Sequence, residues 1–492
     1  MILVIGAGVA GLSCALGVAD AGGEVTLIRP DSAYGSTRLA QGGIASAIAT
    51  GDSPAAHLAD TVAAGHGLVD AVAARQLVED GVQAVRALIR AGMPVDRDTA
   101  GHPLLGLEAA HGRPRIIHCG GDRSGAVLHD HLLAQIDDGI TVREGVSADS
   151  LLLRGGRVTG VRLTDGTTLS ATAVVLATGG YAALYPSSSN DPTTRGQGIA
   201  LAARAGAVIA DMEFVQFHPT VIDAPTPGHR GYLVSEAVRG AGAVLLDSSG
   251  HRFMSDHDPR AELAPRDVVS ASIDAVLRER GDAHVFLDAT RVPDLATRFP
   301  QITSATRALG LDWTVDAIPV APAAHYTMGG VATDLDGRTS VPGLFAVGEV
   351  ASTGVHGSNR LASNSLLEGL VFGRRAGRAA CGTWTYRGAA LPELIRTADT
   401  LTVSPQLTTD ERAISSAIGE HLGIVRDASG IASAARTCSF HKGNSALVGT
   451  LIAAAAAART ESRGAHRRSD HPGTDPKQAR RTALTVKEIT AC

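Results

Sequence analysis

The sequence predicts an α/β protein with a discontinuous Rossmann-like nucleotide-binding domain, an inserted α+β capping domain and a C-terminal helical domain. Three observations predict it. An apolar strand, ILVI (2–5), runs into GAGVAG (6–11), a helical stretch and a second strand, EVTLI (24–28), which together make a β-turn-α-β unit. Glycine-bounded apolar runs return at AVVLATGG (173–180) and GLFAVGEV (343–350), and read as further buried strands. From about residue 382 apolar positions fall at helical spacing.

The expected order is a first part of the nucleotide-binding domain over 1–211, a capping and substrate domain over 212–324, the second part over 325–381 and the helical domain over 382–492. The inserted segment mixes helix and strand signals and carries Pro219, Pro225, Pro227, Pro259 and Pro265. At 492 residues the chain has room for several cores, because single cores seldom grow beyond about 250–300 residues.

Charge and cysteine content narrow the function. The 44 basic and 49 acidic residues leave a formal charge of -5, without the basic excess of nucleic-acid or membrane-surface proteins. Cys14, Cys119, Cys381, Cys438 and Cys492 are odd in number and widely spaced, so neither a disulfide scaffold nor a metal site is expected. No leader is evident before MILVIG, and the apolar stretch LIAAAAAA (451–458) is too short to span a bilayer. A cytoplasmic protein is expected. The end of the chain, Arg463 to Arg481, is basic but has no aromatic residues for base stacking; it is expected to pack near the nucleotide-binding domain, with the last dozen residues disordered.

Gly6, Gly8 and Gly11 lie between strand and helix, the setting in which G-x-G-x-x-G carries weight. Glycine permits the tight turn, and backbone amides at the positive end of the helix can hold a pyrophosphate. Where an acid usually ends the second strand stands Arg29, which leaves a 2′-phosphate and NADP open. Downstream, Glu349 ends a strand and SNSLLEGLVFG opens a helix with Asn364 or Ser365 as its cap.

With AQGG, ATGG, EFVQFHPT, RFM, ELAPRDVV, GEV, GVHGSNRLASNSLLEGLVFG and RGAHRRSD in that order, the chain resembles the flavoprotein family of succinate dehydrogenase, fumarate reductase and L-aspartate oxidase, and most of all its aspartate-oxidising branch. The resemblance implies FAD, held by Gly6, Gly8, Val9, Ala10 and Gly11, by Arg29, by the segment Ser36, Thr37, Arg38, Leu39, Ala40, Gln41, Gly42 and Gly43, by Gln197, by Glu349, and by Ser365 and Leu366. Respiratory relatives bond the flavin covalently to a histidine six residues before the paired glycines; Ser36 stands there, and 35–43 holds no histidine, tyrosine or cysteine. Noncovalent FAD is therefore expected. Gln197 replaces the aspartate of the usual Gly-Asp-Gly, so an amide takes over a carboxylate contact.

The same resemblance implies a site for a C4 dicarboxylate, whose two charges suit arginine forks. His218, Ser235, His325 and Arg360 match the family's carboxylate ligands. Arg266 matches its acid and base residue, and Glu236 and Arg239, three apart on a helix, match its proton relay. As isolated residues these read more readily as turn, cap and surface positions. Glu108 matches a glutamate particular to the aspartate oxidases and would hold the substrate's ammonium group, although Ala109 and Ala110 replace two glycines after it, and Arg113, Arg115 or His118 offer to neutralise it instead.

The expected function is oxidation of L-aspartate to iminoaspartate, with dioxygen or fumarate as acceptor, feeding quinolinate synthase in NAD biosynthesis. Alternatives are a soluble fumarate reductase or succinate dehydrogenase, disfavoured by Glu108, and a flavin-binding redox regulator without turnover.

Overall fold

Five strands from distant stretches of chain meet in one parallel sheet. In the computed structural model, which describes residues 1–30, 35–222, 231–382, 399–403 and 410–488, their order is Leu344–Ala346, Ala173–Leu176, Ile2–Ile5, Val25–Arg29 and Ile140–Glu144. Side chains alternate between its faces. Ile2, Val4, Val25 and Leu27 join one core with the helices Val9–Asp20 and Asn364–Ala380, while Leu3, Ile5 and Ile28 join another. Burial on both faces is why Ile2–Ile5, Ala173–Leu176 and Leu344–Ala346 are apolar throughout.

Glycine lets these elements approach closely enough to build the site. A Cβ on Gly11 would stand 1.9 Å from the Gly6 carbonyl oxygen, so the turn between strand and helix closes only without one. Gly369, Gly373 and Gly377 line one face of the helix Asn364–Ala380, and a Cβ on Gly377 would lie 2.2 Å from Cys14 O. The two helices therefore meet nearly backbone to backbone.

A second sheet, antiparallel, has the order Tyr232–Leu233, Val215–Ile222, Ile318–Thr327, Val285–Asp288 and Val244–Leu246. Phe253, Ile273, Phe299 and Trp313 pack behind it. Pro219 is accommodated by a register shift between His218 and Val221, the sort of bulge at which a strand tolerates a missing amide. Asp122, from outside this unit, accepts hydrogen bonds from Gln301 N (3.0 Å) and Ile302 N (2.9 Å) at the start of the helix Pro300–Ala308.

Helices Glu411–His421 and Ala428–Phe440, capped by Asp410 and Asp427, join Asn444–Ala458 against the outer core. The basic segment folds inward: Arg459 pairs with Glu213 and Glu461, and Arg481 with Asp211. The expectation of a disordered end is corrected for residues 483–488. Ala483–Glu488 is a strand paired with Ile209–Ala210 and Asp399–Val403, and Leu484 is buried, so docking onto a preformed edge orders it. Residues 489–492 lie outside the described residues. Among the described residues no helix is long and apolar enough to cross a membrane.

Candidate active site

A cavity of about 570 Å³ runs from the carboxyl ends of the parallel strands to the second sheet. One end is lined by Gly6, Gly8, Val9, Ala10, Ser36 and Thr37; Gln41, Gly42, Gly43, Glu349, Ser365 and Leu366 line the middle. At the other end are His218, Ser235, Glu236, Arg266, His325 and Arg360, and Leu39, Ala40 and Gln197 also reach the lining.

At the first end the helix Val9–Asp20 starts at Gly8 without a side-chain cap. Val9 N donates to Thr37 Oγ1 (3.1 Å), and the next amides remain for an anionic ligand. Gly11 stands apart from the lining and serves the turn itself. Arg29 and Arg38, expected at the cofactor, are also outside the lining. Arg29 pairs with Glu144 on the neighbouring edge strand, and Arg38 pairs with Asp130. Each finds a carboxylate more than ninety residues away, which the local sequence cannot disclose.

The middle fits a polar, extended cofactor such as FAD. Gln41 Oε1, Thr178 Oγ1 and Asn190 Nδ2 are buried on lining residues without a hydrogen-bond partner, as groups awaiting a ligand would be. Gln197 turns its amide to local backbone, accepting from Arg195 N (3.2 Å) and donating to Thr193 O (2.6 Å). Glu349 Oε1 accepts from Thr327 N (2.9 Å) and Oγ1 (3.1 Å), and burial pushes its carboxyl up to about 7. Ser36 Oγ accepts from Asp191 N (3.4 Å). The cap of the helix Asn364–Ala380 is neither Asn364 nor Ser365 but Ser363, at φ 62. Its hydroxyl donates to Glu108 Oε2 (2.7 Å) rather than to the helix, so the first turn faces the cavity uncapped.

At the far end two guanidiniums converge. Arg266 Nε donates to Glu236 Oε2 (2.8 Å). Arg360 NH1 donates to Ser365 Oγ (3.2 Å), its guanidinium stacks 4.5 Å from the Tyr326 ring centroid, and its Nε has no partner. Burial and the neighbouring Arg266 bring Arg360 down to about 10, still a cation at neutral pH. His218 and His325 meet edge to face with centroids 5.3 Å apart, and burial with the surrounding arginines holds both well below the ordinary histidine range. They are neutral at pH 7. Thr220 N donates to His218 Nδ1 (3.3 Å), which puts the His218 proton on Nε2, and that nitrogen is buried and unpartnered.

Glu236 and Arg239 are buried rather than a surface pair, with Arg239 NH2 donating to Glu236 Oε1 (3.2 Å) and NH1 bonded to Glu262 O. Burial favours protonation of Glu236, but Arg266 and Arg239 outweigh it and hold the carboxyl below its ordinary range. Arg239 does not line the cavity and reaches it through Glu236. Ser235 caps the short helix Glu236–Gly240 through Ala237 N (3.3 Å).

Glu108 is also outside the lining, yet it stands beside it: a Cβ on Gly42 would lie 3.2 Å from Glu108 Oε1. The neutralising partners offered by the sequence are not its partners. Arg115 is held by Asp52 (2.9 Å) and Asp60, Arg113 is exposed, and His118 lies against Gly106. Ala110 sits at φ 65, where a side chain costs about 1–2 kcal/mol. The glycine-type backbone of this turn is thus kept without the glycine.

Sequence reasoning missed Gln216, whose Oε1 accepts from Arg266 NH1 (3.2 Å) and Arg360 NH2 (3.0 Å). A glutamine at a buried strand position was its only local signal. It also missed Glu368, which accepts from Tyr326 Oη (3.0 Å) and Thr353 Oγ1 (2.6 Å) and pairs with His356 (3.0 Å), fixing the ring under Arg360.

Comparison with known proteins places this geometry. The FAD binding domain family matches residues 1–366, and the fumarate reductase flavoprotein C-terminal family matches 420–491. The L-aspartate oxidase of Xylella fastidiosa (strain Temecula1) is 44% identical over 504 residues, covering 99% of this chain and 94% of that protein. That of Mycobacterium tuberculosis (strain H37Rv) is 42% identical over 496 residues, covering 97% and 94%. Among solved structures, a variant of the FrdA subunit of the E. coli quinol fumarate reductase aligns with a TM-score of 0.86 at 28% identity, covering 97% of this chain and 92% of that one. Mycobacterium smegmatis Sdh1 in complex with UQ1 aligns at 0.79 and 30%, covering 99% and 94%.

Proposed function

The chain belongs to the L-aspartate oxidase family of FAD-dependent oxidoreductases, and from that premise we propose that it oxidises L-aspartate to iminoaspartate, passing two electrons to dioxygen, which becomes hydrogen peroxide, or to fumarate, which becomes succinate. The product is an unstable imine that a dedicated consumer must take up; quinolinate synthase, in the synthesis of NAD, is the proposed one. The observation that carries this reading is the buried carboxylate of Glu108 beside Gly42, whose charge acts on Arg360.

Bound FAD supplies the acceptor for the hydride leaving Cα. The chain supplies the rest. Arg360 and Arg266 hold the dicarboxylate, Arg266 also being the acid and base residue that its motif implies, and the neutral histidines His218 and His325 donate without adding charge. Ser189 Oγ lies 2.8 Å from His325 Nδ1 and fixes that ring. Glu108 holds the α-ammonium and is the group nearest the loop of Gly42 that takes its proton. Glu236 and Arg239 keep Arg266 oriented, Arg239 being tied in turn to Glu262 O. Fixing both carboxylates presents one face of Cα to the cofactor, so positioning and preorganised charge supply most of the rate. Because no histidine, tyrosine or cysteine lies in 35–43, the cofactor is held without a covalent bond there.

The test is anaerobic mixing of the FAD-loaded protein with L-aspartate, D-aspartate and succinate in turn, following flavin absorbance. Bleaching by L-aspartate alone is expected. Bleaching by succinate would favour the dicarboxylate dehydrogenase reading, and bleaching by none the non-catalytic one.

A further inference from the structure

Two arginines that must grip two carboxylates repel each other, and something has to hold them at a fixed separation before substrate arrives. Gln216 is placed to do so. It is fully buried, and its single amide oxygen accepts from both Arg266 NH1 (3.2 Å) and Arg360 NH2 (3.0 Å). The amide cannot flip without loss, because Nε2 donates to Asn359 Oδ1 (2.9 Å) and to the backbone oxygen of Arg360 itself (2.8 Å). Asn359 is in turn anchored to Ala64 O (3.3 Å). With Nε of Arg266 committed to Glu236 and NH1 of Arg360 to Ser365, both forks have their remaining donors directed by these contacts.

We propose that Gln216 is a positioning residue that sets the spacing of Arg266 and Arg360 and thereby selects four-carbon dianions. The inference rests on the functional reading above and adds a specificity determinant to it. The chemistry explains why an amide stands there. An amide oxygen bridges two cations without cancelling either, whereas a carboxylate in the same place would neutralise the charge that the second substrate carboxylate needs. An apolar side chain would let the guanidiniums separate.

Titration of the FAD-loaded protein with succinate, glutarate and butyrate, read by flavin difference spectra and by calorimetry, needs no turnover. The wild type is expected to bind succinate tightest. In Gln216→Glu the succinate-to-butyrate affinity ratio is expected to fall about tenfold or more, the scale of one charge-assisted contact. In Gln216→Met the succinate-to-glutarate ratio is expected to fall similarly. A general loosening of the fold would weaken all three ligands together, so unchanged ratios in either FAD-loaded variant overturn the proposal. If neither variant retains FAD, Gln216 is a structural residue and the proposal also fails. If the wild type binds no succinate at all, it is the functional reading that fails.

Discussion

Replacing Glu108 by glutamine removes one charge and little else. The amide oxygen can still accept from Ser363 Oγ, now at 2.7 Å from the carboxylate, so the start of the helix Asn364–Ala380 should keep its place. What disappears is the ionic partner of the substrate's ammonium group. A hydrogen bond to a charged group is worth about 1.5–3 kcal/mol, so kcat/KM for L-aspartate is expected to drop by at least about tenfold to about 150-fold, the loss of the proton acceptor adding to it. Succinate has no ammonium group and should bind at least as well as before, since the pole becomes more positive. The assay is steady-state and anaerobic single-turnover kinetics with L-aspartate, beside the dissociation constant of succinate on the same preparation. An equal loss for both ligands would mean that Glu108 only supports the loop, and an unchanged L-aspartate efficiency would remove it from the site.

Three further outcomes are expected. Asp122→Ala uncaps the helix Pro300–Ala308 by taking the acceptor from Gln301 N and Ile302 N, and should cost about 1 kcal/mol in denaturant unfolding, with Asp122→Asn restoring part of it. Glu349, raised by burial from 4.5 to about 7, holds its proton longer folded than unfolded. Its contribution to the stability of the FAD-free protein is therefore complete below 4.5 and lost as pH rises through about 7, and melting scans of Glu349→Gln should lack that slope. Denaturation in SDS should release all flavin from the chain, and a fluorescent protein band on the gel would contradict the reading of Ser36.

The nucleotide-binding loop was legible because its parts are contiguous: ILVI, the glycines and the helix lie within twenty residues, and each has its own local reason. The motif residues His218, Ser235, Arg266, His325 and Arg360, read from distant stretches of chain, all line one cavity. Local sequence says least where a side chain has more than one partner to choose from. Arg29 and Arg38 read as cofactor ligands until Glu144 and Asp130 were brought beside them. Ser363 was overlooked as a helix cap because its hydroxyl serves Glu108, 255 residues away.

The sequence by itself determined the α/β class, the glycine turn and the absence of a flavin-bonding side chain in 35–43, because each depends on neighbours a few positions apart, while the residues of the substrate pole were legible only through the family resemblance of their motifs. Only the tertiary structure decided that Gln216 bridges the two arginines, that Arg115 belongs to Asp52 and Asp60 rather than to Glu108, and that the terminal strand Ala483–Glu488 docks beside Ile209–Ala210. Those choices are competitions among charges and backbone edges from distant segments. They are settled by which surfaces pack together, and no local pattern carries that information.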